Sequence, residues 1–335
     1  MKKAFAFIVI LLSISSAFAN GIVEDAEKEK LVVYAYDSFA SDWGPGATVI
    51  PEFIEETGID VELVSSGDAV EMLNKIILEG ENCRADVVLG ISDDIAHKIY
   101  PYMESYSSPY LQSIDDELEF DPEHRLIPFD YGAFAFVYDS QSGLPKPESL
   151  SSLADEIYQD KVILIDPRTS SVGMGLLMWS YNEFGDDYLS WWEKMEERAL
   201  TIASGWSSAY GLFTEGEAPL VLSYTTSPVY HVMNEDTTRY EALVFDDGHQ
   251  ATIEGIGIMK SSNLKDEAKI FIDYILSSAQ KDIAVLNSMY PTNGDTLLPD
   301  AFDYAPKPAK IYKSGLLSEE KANELLESWT KVMTD

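Results

Sequence analysis

The stretches Leu31-Val32-Val33-Tyr34-Ala35-Tyr36, Ile59-Asp60-Val61-Glu62-Leu63-Val64 and Ala85-Asp86-Val87-Val88-Leu89-Gly90 decide the fold. The first and third are apolar, β-branched runs of strand length, and the second alternates apolar and polar as a strand does. Helix-like spacing fills the gaps, from Val49 to Glu56 with Gly58 as a stop and from Val70 to Leu78 with Gly80 as a stop. Strand–helix–strand–helix–strand order predicts a parallel sheet with right-handed crossovers. In an open α/β sheet the loops after the strands share one edge, and ligands bind there. Those loops carry Tyr36 and Asp37, then Ser66-Gly67-Asp68, then Gly90.

Working outward, a second α/β block begins near Phe129. Strands are predicted over Gly132–Val137, Val162–Ile165, Leu220–Tyr224 and Ala251–Met259, with helices over Gly173–Asn182, Tyr188–Glu197, Lys265–Leu276 and Glu319–Met333. The expected architecture is α/β with two lobes and a ligand cleft between them. One lobe spans 20–128 and is completed by about 255–285; the other spans 129–250, with the C-terminal helices of 286–335 packing on it. Hinge strands are expected near Pro128–Gly132 and Phe245–Gly255, since the chain crosses between blocks there.

The 335 residues carry 23 Lys+Arg against 58 Asp+Glu, a formal net charge of −35. Nucleic acid is excluded as a general partner, because it needs a basic footprint. A cationic ligand suits the balance, and so does a solvated acidic surface. Lys2 and Lys3, an apolar run from Ala4 to about Leu12, and Ala17-Phe18-Ala19 form a secretory leader with cleavage expected after Ala19. The apolar run is short of the ~18 residues of a membrane span. The mature chain is therefore expected to be soluble and exported. Cys83 is the only cysteine, so no intrachain disulfide can form. Its place before a strand suits a packed thiol better than a nucleophile.

Three features carry candidate chemistry. Asp166-Pro167-Arg168-Thr169-Ser170-Ser171-Val172-Gly173 follows a buried strand and opens a helix. Free N–H groups, hydroxyls and the helix dipole make such a turn an anion site, with Arg168, Thr169, Ser170 and Ser171 as candidates; plain N-capping is the alternative. Tyr36, Trp43, Trp206, Tyr224 and Tyr230 fall at predicted strand ends, where ring faces can hold a heteroaromatic ring or a cation, or simply pack. Asp37 and Asp68 can accept from an amino group or balance a cation, or cap a turn. His97, His124, His231 and His249 have no metal-ligand spacing, and no cofactor motif is present.

The run Tyr34-Ala35-Tyr36-Asp37-Ser38-Phe39-Ala40-Ser41-Asp42-Trp43-Gly44-Pro45-Gly46 closely resembles the opening of the periplasmic thiamine-binding proteins of bacterial ABC importers. Pro128-Phe129-Asp130-Tyr131-Gly132, Asp166-Pro167-Arg168-Thr169-Ser170, Gly205-Trp206-Ser207 and Leu220 to Pro228 extend the resemblance over most of the chain. It implies a type II periplasmic binding-protein fold and a ligand of thiamine, thiamine monophosphate or thiamine diphosphate. It also implies a monomer that delivers this ligand to a membrane ABC permease. The family's ring contacts fall on Tyr36, Trp206, Tyr224 and Tyr230, its phosphate-side serine on Ser170, and a pyrimidine-side acid on Asp68. Where the family carries tryptophan before Met-Tyr-Pro, this chain has Ser288, so one aromatic wall is expected to be missing. Polyamine capture on the same fold is the rival binding reading. A thiaminase-like enzyme is the rival catalytic one, and it would need Cys83 as nucleophile.

Overall fold

The computed structural model describes residues 29–313 and 319–334. The expected leader and its cleavage site lie outside the described residues. In the first half of the chain, β1 (Leu31–Ala35) lies parallel between β2 (Val61–Ser65) and β3 (Val87–Ser92). A helical turn, α1 (Asp37–Ala40), and α2 (Gly46–Thr57) form the first crossover, and α3 (Ala69–Glu79) forms the second. Gly58 ends α2 at φ 69°, a conformation that costs a residue without Cβ little. Successive residues of a strand point to opposite faces, so this sheet has two cores. Val33, Ala35, Val87 and Leu89 face Phe39, Phe53 and Phe271, whereas Tyr34 and Val88 face Met72, Leu73 and Ile76.

The remaining strands are β4 (Met103–Glu104), β5 (Ile127–Asp139), β6 (Val162–Ile165), β7 (Ala199–Ala203), β8 (Leu220–Tyr224), β9 (Tyr240–Ala242), β10 (His249–Met259), β11 (Tyr290–Pro291) and β12 (Ile311–Tyr312). The main strand order is β2-β1-β3-β10-β5-β8-β6-β7. In the second lobe α4 (Ser171–Phe184), α5 (Tyr188–Arg198), α6 (Trp206–Thr214) and α7 (Pro228–Glu235) surround β6, β7 and β8. Its core holds Trp179, Trp192 and Trp329. Trp179 Nε1 donates to the Gly248 carbonyl at 2.9 Å and Trp192 Nε1 to Ser180 Oγ at 2.9 Å, whereas Trp329 Nε1 is buried without a partner. Of the last helices, α8 (Lys265–Ile275) returns to the first core through Phe271 and Ile272, and α9 (Gln280–Asn287) follows it. The final helix, α10 (Glu319–Thr334), adds Leu325 and Trp329 to the second core.

Two long strands join the lobes. β5 pairs with β10 along Ile127–Ala133 and then with β8 along Phe134–Tyr138. β10 pairs with both β5 and β3, and its register breaks between Glu254 and Gly255 against β5. A bulge at that point re-aims side chains where the strands leave one sheet for the other.

Two local expectations differ from the structure. The segment that carries Tyr230, expected at a strand end, is a tight turn that runs into α7, because Pro228 at the helix start pre-sets its φ. Tyr230 therefore stands on a helix. Trp206 opens α6 after β7, a strand whose sequence Ala-Leu-Thr-Ile-Ala is too short and mixed to have been read.

Candidate functional site

The ends of β1 and β8, the starts of α3, α4 and α6, and the end of α9 converge on one cleft. Its inner part encloses about 430 Å³, open mouth included, and is lined by Tyr36, Asp37, Asp68, Trp206, Tyr224 and Glu254, among others. An outer part of about 950 Å³ shares Trp206, Tyr224 and Asn287 with it and adds Trp43, Tyr230 and Ser288. All five aromatics singled out in the sequence thus line the same cleft.

Each ring is held from behind. Tyr36 lies on Gly90, where a Cβ would come within 2.0 Å of the ring, so glycine is required there. Trp206 stacks on Tyr210 at 4.9 Å and 18°, and its Nε1 donates to Ser223 Oγ at 2.8 Å. Tyr210 in turn bonds His231 Nε2 at 2.9 Å, which fixes the buried histidine as a support rather than a ligand. Tyr224 stacks on Phe134 at 5.3 Å. Trp43, about half exposed, reaches over from the first lobe to 6.2 Å from Trp206. Held rings lose little entropy when a flat ligand docks on them.

Asp68 is the centre of the polar contacts. It caps α3 in a capping box with Glu71 and accepts from the Ala69 N–H at 2.7 Å. The same carboxylate reaches the second lobe, where the Ser170 hydroxyl (2.8 Å), the Ser171 N–H (3.1 Å) and the Trp206 N–H (3.2 Å) donate to it. It therefore sits at the N-termini of both α4 and α6. Gly205 permits the approach, since a Cβ there would stand 3.2 Å from Asp68 Oδ2. Burial raises the Asp68 carboxyl to about 6; the three donors from the second lobe offset only part of that cost, and Asp37 adds to it. Asp37 makes a second bridge between the lobes by accepting from Ser207 Oγ at 3.1 Å.

These contacts revise the anion-site reading. The N–H groups at the start of α4 do meet an anion, but it is the chain's own Asp68, which stands on this side of the cleft rather than apart from it. Ser170 is fully buried and spends its hydroxyl on Asp68 and on capping α4. Ser171 lines the inner cleft. Thr169 Oγ1 donates to the Ser204 carbonyl at 2.6 Å. Arg168 is not in the cleft: it forms a bidentate pair with Asp166 and lies over the Trp329 ring. A carboxylate two residues away captured the guanidinium.

The strands also deliver residues that sequence reasoning missed. Asp130 and Glu254 are register partners on β5 and β10 and are both buried. Asn287 Nδ2 bridges Tyr36 Oη and Asp130 Oδ2, each at 2.8 Å. An acid inside an apolar strand such as Ile-Pro-Phe-Asp-Tyr-Gly or Thr-Ile-Glu-Gly-Ile was the available signal, because acids are almost never fully buried without a reason. Cys83 lies in the first-lobe core and does not line the cleft. Burial pushes its thiol up to about 11, the reverse of what a nucleophile needs. Among the described residues no group of three or more His, Cys, Asp or Glu side chains can hold a metal ion.

The fold, two lobes joined by β5 and β10 with a ring-lined cleft between them, defines an extracytoplasmic solute-binding protein. Residues 94–312 match the model of the family described as bacterial extracellular solute-binding protein, and the chain belongs to that family. It is 39% identical over 309 residues to the thiamine-binding periplasmic protein of Brucella melitensis, covering 90% of this chain and 91% of that one. It is 40% identical over 286 residues to the thiamine-binding periplasmic protein of Escherichia coli, covering 84% and 86%. A solved periplasmic thiamin binding protein superposes with a TM-score of 0.85 at 35% identity, covering 92% of this chain and 97% of that one.

Proposed function

We propose that the chain captures thiamine outside the cytoplasm and hands it to a membrane ABC permease. The observation that carries this reading is the pairing of held ring faces with buried carboxylates in one cleft: Tyr36, Trp206 and Tyr224 beside Asp68 and Glu254. Thiamine is a cationic thiazolium joined to an aminopyrimidine. Its flat π systems suit the rings, its charge suits the acidic cleft, and its amino group suits a carboxylate acceptor. The relatives at about 39% identity support the same ligand. In this reading the ligand bridges the lobes and adds to the Asp68 and Asp37 contacts, so the closed form gains population and docks on the permease. The chain performs no chemistry on its ligand and works in the periplasm as a monomer.

Phosphate esters of thiamine belong to the reading on one condition. A phosphate can use the start of α4 only by displacing the Asp68 carboxylate or sharing the site with it. Calorimetric titration with thiamine, its monophosphate, its diphosphate and spermidine tests the proposal. Saturable heat with thiamine and none with spermidine is expected. Heat with spermidine alone would replace it with polyamine capture.

A further inference from the structure

The buried acids on the two crossing strands have a use of their own. Asp130 is fully buried and Glu254 is 8% exposed, and they face each other across the β5–β10 pair at the bulge. Asp130 Oδ1 and Glu254 Oε2 have no hydrogen-bond partner, and Glu254 lines the inner cleft. The groups facing them are neutral or acidic. Tyr36 comes from the end of β1, Asn287 from α9, Asp68 from the start of α3 and Tyr224 from β8; Asp94 stands beyond Tyr224. Ser92 is the partner of Glu254 on β3.

Two carboxylates side by side in a dry site cannot both be ionised. Burial raises both, and the charge of Asp130 raises Glu254 further. The pair therefore holds a proton between them. A neutral or apolar pair would be more stable at this place, because buried acids that face no positive charge cost free energy. Their presence at a cleft wall calls for a partner from outside the chain.

We propose that Asp130 and Glu254 form the cation-receiving end of the cleft, where Glu254 Oε2 accepts from the amino-bearing edge of a cationic heteroaromatic ligand and the pair releases its shared proton to solvent as that ligand docks. The proposal rests on the thiamine reading and adds to it the residues and a proton count. Proton release follows from linkage: a cation stabilises the doubly ionised pair, so the bound form holds fewer protons.

The test is calorimetric titration of the full exported chain with thiamine at pH 7.0, in phosphate and in Tris, whose ionisation heats differ. The wild type is expected to release about 0.5–1 proton per thiamine bound. Glu254→Gln is expected to abolish the release and weaken thiamine about 10- to 30-fold. Its thermal midpoint without ligand should rise, because folding at pH 7 no longer has to bind a proton at that position, and a purely structural pair would not couple that rise to weaker binding. Asp130→Asn should lose the proton release as well, which keeps the test open if one variant does not fold. Wild-type heat that is the same in both buffers, or wild-type affinity in Glu254→Gln, would overturn the role of the pair while leaving thiamine capture intact. No heat from the wild type with thiamine would overturn the ligand reading and this proposal together.

Discussion

The first lobe faces the cleft with acceptors, the carboxylates of Asp37 and Asp68, whereas the second faces it with donors, the N–H groups opening α4 and α6 and the hydroxyls of Ser170 and Ser207. The difference teaches how the lobes meet. Acceptor meets donor directly, so closure satisfies Asp68 with three bonds from the opposite lobe. The rings are divided too, with Tyr36 and Trp43 on one side and Trp206, Tyr224 and Tyr230 on the other. A flat cation held between them would touch both lobes, with the proposed acid pair of the crossing strands at its end. The two lobes are thus complementary to each other at one end of the cleft and to a ligand at the other.

Removing the main ring face breaks the aromatic half of this contrast. Trp206→Ala should weaken thiamine about 30- to 100-fold in calorimetry, as loss of a buried aromatic anchor does. Unchanged affinity would put the ligand elsewhere.

Neutralising the acceptor lobe is the next test. Asp68→Asn keeps the size of the side chain and removes the charge that repels a phosphate. The ratio of monophosphate to thiamine affinity is expected to rise about 10-fold. A fall in that ratio would mean that Asp68 helps rather than opposes a phosphate.

Ser288 marks where the second wall of the outer cleft is thin. It ends α9 at φ 51° and lines the 950 Å³ space. Ser288→Trp should tighten thiamine about 3- to 10-fold by adding a ring face. It should also lower the thermal midpoint, since a bulky residue at positive φ costs about 1–3 kcal/mol. Weaker binding would show that the open wall is needed.

The smallest effect concerns pH. The folded chain raises Asp68 to about 6 and Asp130 to about 7. A carboxyl raised in the folded state holds a proton that the unfolded chain, titrating near 4, has lost. Its contribution is fully present below about pH 4 and is lost as pH rises through the folded value. The thermal midpoint should therefore fall between pH 4 and 7, and Asp130→Asn should make that slope shallower. An identical slope in the variant would mean that Asp130 titrates normally.

Most of the frame was legible in the residues. The first three strands alternate or run apolar between glycine stops, and β6 and β8 are solid apolar runs with turn signals, so period and punctuation located them. Tyr36 and Tyr224 were legible as cleft residues because they stand at the ends of β1 and β8, whereas Trp206 follows a strand that was not read and Tyr230 lies on a helix. The partners of the helix N-termini were not. Asp68 lies 102 residues from Ser170 and 138 from Trp206, and nothing local says that a capping aspartate also serves helices that far away. Arg168 misled because an arginine beside hydroxyls suits a phosphate, while Asp166 in the same turn is a nearer anion. Asp130 and Glu254 stayed hidden because each looks like a lone acid in its own strand; only the register of β5 and β10 makes them a pair.

A crystal structure of the chain grown with thiamine tests the central claim most directly. The expected result is one thiamine in the inner cleft, its rings against Tyr36, Trp206 and Tyr224 and its amino edge within hydrogen-bond distance of Glu254. Thiamine bound outside that cleft, or seated there with its amino edge turned away from both Glu254 and Asp130, would contradict it.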